Sequence, residues 1–168
     1  MKKATSDGIF QPQYHGREHL NLKVLSEKLA RRDENLIVNL ENRSYTSIID
    51  SGYSTITNAS AFSFWNINEN KNLIEIAEDG INRFADIYEY FPMHFNSPGS
   101  GESQIMQTCL SEKGIKYIDA PLIKTEHLGF GEYKKQFYYT EKNSHIQYFM
   151  VRNCIFDPTE NRGYDPIN

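Results

Sequence analysis

The stretch Ile9-Phe10-Gln11-Pro12-Gln13-Tyr14-His15-Gly16-Arg17-Glu18-His19-Leu20-Asn21 decides how the chain is read. A short apolar run leads into two histidines four positions apart, and a helical pattern begins directly after them. Leu22, Leu25 and Leu29 recur at helical spacing, with Lys23, Glu27, Lys28 and Arg31 on the other faces. This predicts an amphipathic helix, capped by Asn21 and ended by Asp33 to Asn35. Ile9 to Tyr14 reads as a short strand, weakened by Pro12, which has no N–H for a ladder. The histidines therefore stand where a strand turns into a helix, with both imidazoles projecting to one side.

Downstream, helical and extended patterns alternate. Ile74, Ala77, Ile81, Phe84 and Tyr88 predict a helix over 72–90, in which Gly80 marks a close packing contact. Phe91 to Phe95 reads as a strand closed by a turn at Pro98-Gly99. Ser100 or Ser103 is placed to cap a third helix, with Ile105, Cys109 and Leu110 inward and Gly114 at its end. Ile115 to Asp119, Lys135 to Thr140 and His145 to Phe156 read as further strands. Leu36 to Leu40 is too short to type. Residues 41–68, rich in Ser, Thr and Asn, read as a long insertion in which Ser60 to Ile67 packs as a strand or a lid. Such alternation predicts an α/β fold with a parallel sheet and crossover helices, in one domain over 1–168. A full (β/α) barrel takes about 250 residues. The expected architecture is therefore a partial barrel or a smaller doubly wound domain.

Composition removes several classes of function. A chain of 168 residues with 39% hydrophobic and 24% charged content can build its own core. Its net charge of −4 lacks the basic face that a nucleic-acid partner requires. No apolar run approaches the roughly 20 residues of a membrane span. No apolar segment follows Lys2-Lys3 as a signal peptide would need. The chain as given is thus expected to be cytoplasmic, with no membrane partner. Cys109 and Cys154 match no zinc spacing and read as reduced core residues. Asn58-Ala59-Ser60 and Asn42-Arg43-Ser44 fit the glycosylation pattern, without a secretion route to use it. Asp157 to Asp165 resembles a calcium loop, but its glycine is misplaced and no terminal glutamate follows.

The chemistry lies with His15 and His19. Two imidazoles at i and i+4 can share one divalent metal (zinc, iron or nickel, with zinc preferred), a carboxylate being the usual third ligand. The plain alternative is a pair of surface histidines, since the spacing also arises by chance. A metal site requires the rings to converge; rings turned apart, or locked into separate backbone contacts, would remove it. Asp119 and His94 are the candidate third ligands. His-x-x-Glu-His is also the signature of a class of zinc peptidases, with Glu18 as base and Glu75 or Glu78 as a downstream ligand. That motif needs a helix, and Gly16 with Pro12 argues against one here.

The string from Phe10 to Asn21 resembles the second motif of the polysaccharide deacetylase-like superfamily. Asp79 to Phe84 followed by Phe95 to Gly99 is similar to the helix and strand that carry the third motif. Lys113 to Asp119 and Val151 to Pro158 are similar to the strands that come next. The resemblance implies metal-dependent hydrolysis of acetyl groups on a carbohydrate substrate. It implies His15 and His19 as metal ligands; Asn96, at the third motif, and Trp65, from the aromatic insertion, are the expected substrate contacts. The departures are equally specific. The Asp-Asp pair of the first motif has no room in the fourteen residues before His15, and Asn96 stands where an arginine is usual. The resemblance therefore implies a domain truncated at both ends and impaired as a catalyst. The competing expectation is a non-catalytic carbohydrate-binding module using Phe62, Phe64, Trp65 and Tyr117.

Overall fold

In a computed structural model, residues 2–44 and 56–151 are described. The elements in chain order are α1 (Lys2–Ser6), α2 (Leu22–Ala30), α3 (Glu34–Glu41), α4 (Asn70–Tyr88), β1 (His94–Phe95), α5 (Met106–Glu112), β2 (Tyr117–Ala120), β3 (Ile123–Gly129), β4 (Glu132–Phe137) and β5 (Tyr148–Val151). The fold is mixed α/β. Strands β1, β2 and β5 form a parallel sheet in that order, and β3 pairs with β4 as an antiparallel hairpin. Tyr14 adds an isolated parallel bridge to Phe95, so each parallel segment lies beside the one before it in sequence. No closed barrel forms among the described residues.

One face of the parallel sheet is apolar. Phe95, Ile118 and Phe149 are all buried, in register across the three strands. Helix α4 packs there through Ala77, Ile81 and Phe84, and α5 through Met106 and Leu110, forming one cluster with Tyr14, Phe62 and Phe64. Side chains alternate along a strand, so His94, Asn96, Tyr117, Asp119, Tyr148 and Met150 belong to the other face. There Tyr117, Tyr148 and Met150 remain exposed.

Several expectations need correction. Ile9 to Tyr14 is not a strand beyond the single bridge at Tyr14. Pro12 has no N–H, and the Gln13 side chain takes over the role of a strand carbonyl, its Oε1 accepting from Met93 N and His94 N at 3.1 and 2.9 Å. The first long helix forms, with Asn21 Oδ1 accepting from Val24 N, but its buried positions are Val24 and Lys28. Leu22 and Leu29 face outward. Asn21 sets this phase, because its Nδ2 donates to the carbonyls of Ser60 and Ser63 at 3.0 and 2.7 Å. Helix α2 stops at Ala30 as expected, the Asp33 N–H closing its end on Lys28 O at 3.0 Å; the Asp33 carboxylate then caps α3 at Leu36 N, and Leu36 to Leu40 lies within that helix. Ile105 is exposed, whereas Cys109 and Leu110 are buried as expected. Ser60 to Ile67 contributes turns and core residues and no strand. Strand β3 falls where no strand is predicted. Cys154, the tail of the last predicted strand and the region from Asp157 lie outside the described residues.

Candidate functional site

Tyr14 anchors the histidine stretch. Its N–H donates to His94 O and its carbonyl accepts from Asn96 N, both at 3.2 Å. The ring is buried, stacks on Phe95 at 5.5 Å, and its hydroxyl donates to Ala77 O in α4 at 3.2 Å. Burial pushes this phenol well above the ordinary tyrosine range, so it stays protonated as a donor. Gly80 makes the approach possible: a Cβ there would stand 2.2 Å from the Tyr14 hydroxyl and 2.8 Å from Arg17 Cβ. Beyond Tyr14 the chain turns at Gly16, whose φ of +114° and tight fit against Pro98 suit only glycine. Arg17 then fastens the turn to α4, donating to Asp79 at 2.8 Å and clasping both oxygens of Glu18. Arg83 donates to the same Asp79 oxygen at 2.8 Å. Bonds from Arg17 and Arg83 hold the Asp79 carboxyl below the usual range.

Each histidine is pinned through one nitrogen. His15 Nδ1 lies 2.7 Å from Asn96 O and His19 Nδ1 lies 2.7 Å from Ala59 O. A carbonyl only accepts, so each Nδ1 donates, and Nε2 is the nitrogen left for any further partner. Both rings are locked into separate backbone contacts, the outcome expected to count against a shared ion; those contacts use Nδ1 and leave Nε2 of each ring without a hydrogen bond among the described residues. This is the orienting bond that metal-bound histidines ordinarily make. The ring centres are 5.3 Å apart with planes at 59°. Two imidazoles sharing a tetrahedral zinc through Nε2 at about 2.1 Å have ring centres roughly 5 Å apart. The observed separation of ring centres is close to that value.

A third ligand is not brought in. Among the described residues no three His, Cys, Asp or Glu side chains gather closely enough to hold a metal. His94 and Asp119 engage each other instead, with His94 Nε2 donating to Asp119 Oδ1 at 3.0 Å. Glu18 is occupied by Arg17, and the stretch from His15 to His19 is not helical, so the peptidase geometry is missing.

Of the expected substrate contacts, Asn96 borders the site and holds His15 through its carbonyl. Trp65 sits elsewhere, edge-on to Phe130 at the hairpin tip, and its carbonyl accepts from Phe130 N at 2.6 Å. Phe62 and Phe64 are buried core residues, closed to any ligand, and Tyr117 stacks on Tyr148. Sequence reasoning placed the segment 57–63 in the long insertion but gave Thr57, Ala59, Ser60 and Ser63 no role at a site. Its Ala59 holds His19, and its Thr57, Ser60 and Ser63 line a cavity of about 320 Å³ with Gly99, Thr125 and His127. Asn58, whose spacing suggested glycosylation, is fully buried there. No local signal marks that segment, because its partners lie about forty residues away in the chain.

No protein-family model, curated protein or solved structure matches the chain. No helix among the described residues is long and apolar enough to cross a membrane.

Proposed function

We propose that the His15–His19 turn holds a divalent metal, zinc by preference, and that the chain belongs to metal-dependent hydrolysis of acyl groups on carbohydrates. The observation that carries this reading is the pair of imidazoles 5.3 Å apart, each with Nδ1 tied to a carbonyl at 2.7 Å. The string through Asn21 and its resemblance to the polysaccharide deacetylase-like superfamily supply the reaction class. The parallel sheet, read as part of a (β/α) barrel, agrees with the usual location of such sites at the carboxyl ends of strands. His15 and His19 bind and orient the ion. When bound, a divalent ion polarises a carbonyl and makes water more acidic. Asn96 borders the space where an acyl group would lie.

The test is metal content and acetate release in parallel. Purified chain is expected to take up about one zinc, and His15→Ala or His19→Ala to lose it, with acetate release from acetylated oligosaccharides following the metal. Zinc uptake that survives both substitutions would defeat the assignment.

A further inference from the structure

We propose that the cavity between the segment 57–63, the loop 98–101 and β3 binds a small neutral polyol, whether or not a metal occupies the histidine turn. Two serines carry the inference. Asn21 Nδ2 holds the carbonyls of Ser60 and Ser63 at 3.0 and 2.7 Å, and Ser63 N donates to Ser60 O at 3.1 Å, so both backbones are fixed. Ser60 and Ser63 are only 8% and 7% exposed, yet neither hydroxyl makes a hydrogen bond among the described residues. Both line the cavity, and each hydroxyl is turned to a glycine that also lines it. A Cβ at Gly99 would stand 2.3 Å from Ser60 Oγ, and one at Gly101 2.3 Å from Ser63 Oγ. Buried polar groups ordinarily find a partner, because an unpaired one costs stability; these two have theirs to find in the cavity.

The remaining wall narrows what that partner is. Lys124 lines the cavity, but its ammonium is turned to Glu102 Oε1 and O at 2.8 Å each and to Glu126 Oε2 at 3.4 Å. Two carboxylates against one ammonium leave no net positive charge to hold an anion. No Asp, Glu or Cys lines the cavity among the described residues, so a metal ion or an ammonium ion finds no charged ligand there. Thr125 and His127 add polar side chains that make no hydrogen bond among the described residues, and Ile56 and Pro121 add apolar surface. A hydroxyl both donates and accepts, so several hydroxyls on one wall are matched best by a molecule that does the same. A neutral polyol is that molecule, and about 320 Å³ is within the range of small-molecule sites.

The test is a titration of the full chain, with EDTA present to remove metal, followed by the nuclear magnetic resonance amide signals of Ser60, Ser63, Gly99 and Gly101. myo-Inositol is expected to bind with a dissociation constant of about a millimolar. Inorganic phosphate and propylammonium should bind about tenfold more weakly or not at all. Ser60→Ala and Ser63→Ala should each weaken myo-inositol by about 3- to 10-fold, the share of one hydrogen bond. Neither should lower the melting temperature, since neither hydroxyl is bonded among the described residues. Thr125→Val, at an exposed position, should weaken binding by a similar factor, and the exposed control Glu132→Gln should match wild type. A glucose tetrasaccharide that binds more tightly than myo-inositol assigns the site to the end of a glycan, and the reverse order to a free polyol; the serine variants should weaken either. Absence of saturable binding by both overturns the proposal. So does tighter binding of phosphate or propylammonium, or binding that all three variants leave unchanged. Zinc uptake is measured separately and without EDTA, so loss of the metal reading leaves this site standing, and the converse holds too.

Discussion

The hairpin β3–β4 and the histidine turn handle polar side chains in opposite ways. At the hairpin, Lys124, Glu102 and Glu126 are each about 95% or more buried and close on one another. Lys124 Nζ donates to the carboxylate and the carbonyl of Glu102 at 2.8 Å each and lies 3.4 Å from Glu126. Glu126 in turn accepts from Gln104 N at 2.8 Å. Burial alone would lower the ammonium's pKa; the two carboxylates outweigh it and hold it above the ordinary lysine range. At the turn, His15 and His19 are exposed, and each spends one nitrogen on the protein among the described residues. In the buried cluster one ammonium is shared by two carboxylates, each of which keeps an Oε2 with no hydrogen bond among the described residues, whereas at the turn the polar groups left half-engaged lie at the surface.

The comparison breaks most visibly at Lys124. Lys124→Met leaves two buried carboxylates without their cation, and removing one partner of a buried pair costs about 3–5 kcal/mol. Denaturant unfolding should show that loss while zinc uptake by the folded fraction stays unchanged. Replacing Lys124, Glu102 and Glu126 together by apolar residues should cost less than Lys124→Met alone, since no buried charge remains. A triple variant weaker than the single one would mean that the cluster contributes more than charge balance.

Gly80→Ala tests the other region. Alanine would raise helix propensity in α4 by about 1 kcal/mol. The added Cβ, however, meets the Tyr14 hydroxyl and Arg17 Cβ, both well inside contact distance. Tyr14 is buried and tied to Ala77, so it cannot simply swing aside. Overpacking of this kind costs about 1–3 kcal/mol, so a modest net loss of stability is expected. The sharper effect should be on zinc, because the displaced residues carry the turn; affinity is expected to drop by about 10-fold, in the range seen for supporting contacts. Unchanged zinc affinity would separate α4 from the site.

How far the sequence discloses these two regions follows from where their information is stored. The spacing of His15 and His19 is local, and so is the helical period over Ile74 to Phe84, and both can be read directly. The hairpin is hidden because β3 points Lys124 and Glu126 inward, which erases the apolar alternation that would announce a strand. The phase of α2 is hidden for a similar reason. Lys28, fully buried beside Asp33, occupies a face that periodicity assigns to solvent, while Leu22 and Leu29 of the predicted stripe are exposed. The grip of Ala59 on His19 and of His94 on Asp119 comes from chain segments far apart, and no window of sequence contains either.

Acidity offers the finest separation, because the two regions should fail at opposite ends of the scale. Lys124 is raised in the folded state, so its contribution is complete below the unfolded lysine value of about 10.4 and is lost as pH rises through the raised one. Asp79 is lowered by Arg17 and Arg83, so its contribution is complete above the unfolded carboxylate value of about 3.9 and is lost as pH falls through the lowered one. Asp79→Asn should therefore change thermal stability only slightly at neutral pH, since an exposed ion pair is screened by solvent. That small difference from wild type should vanish in strong acid and persist in alkali. Lys124→Met should differ at the alkaline end, its deficit shrinking above about pH 10.4 where wild type loses the same charge, and it should also ease in acid as the two unpaired carboxylates take up protons. Melting curves of the two variants against wild type across that range would show it. Parallel pH dependence in both would mean that the Arg17–Asp79 link and the buried cluster are not the separate devices their geometry makes them.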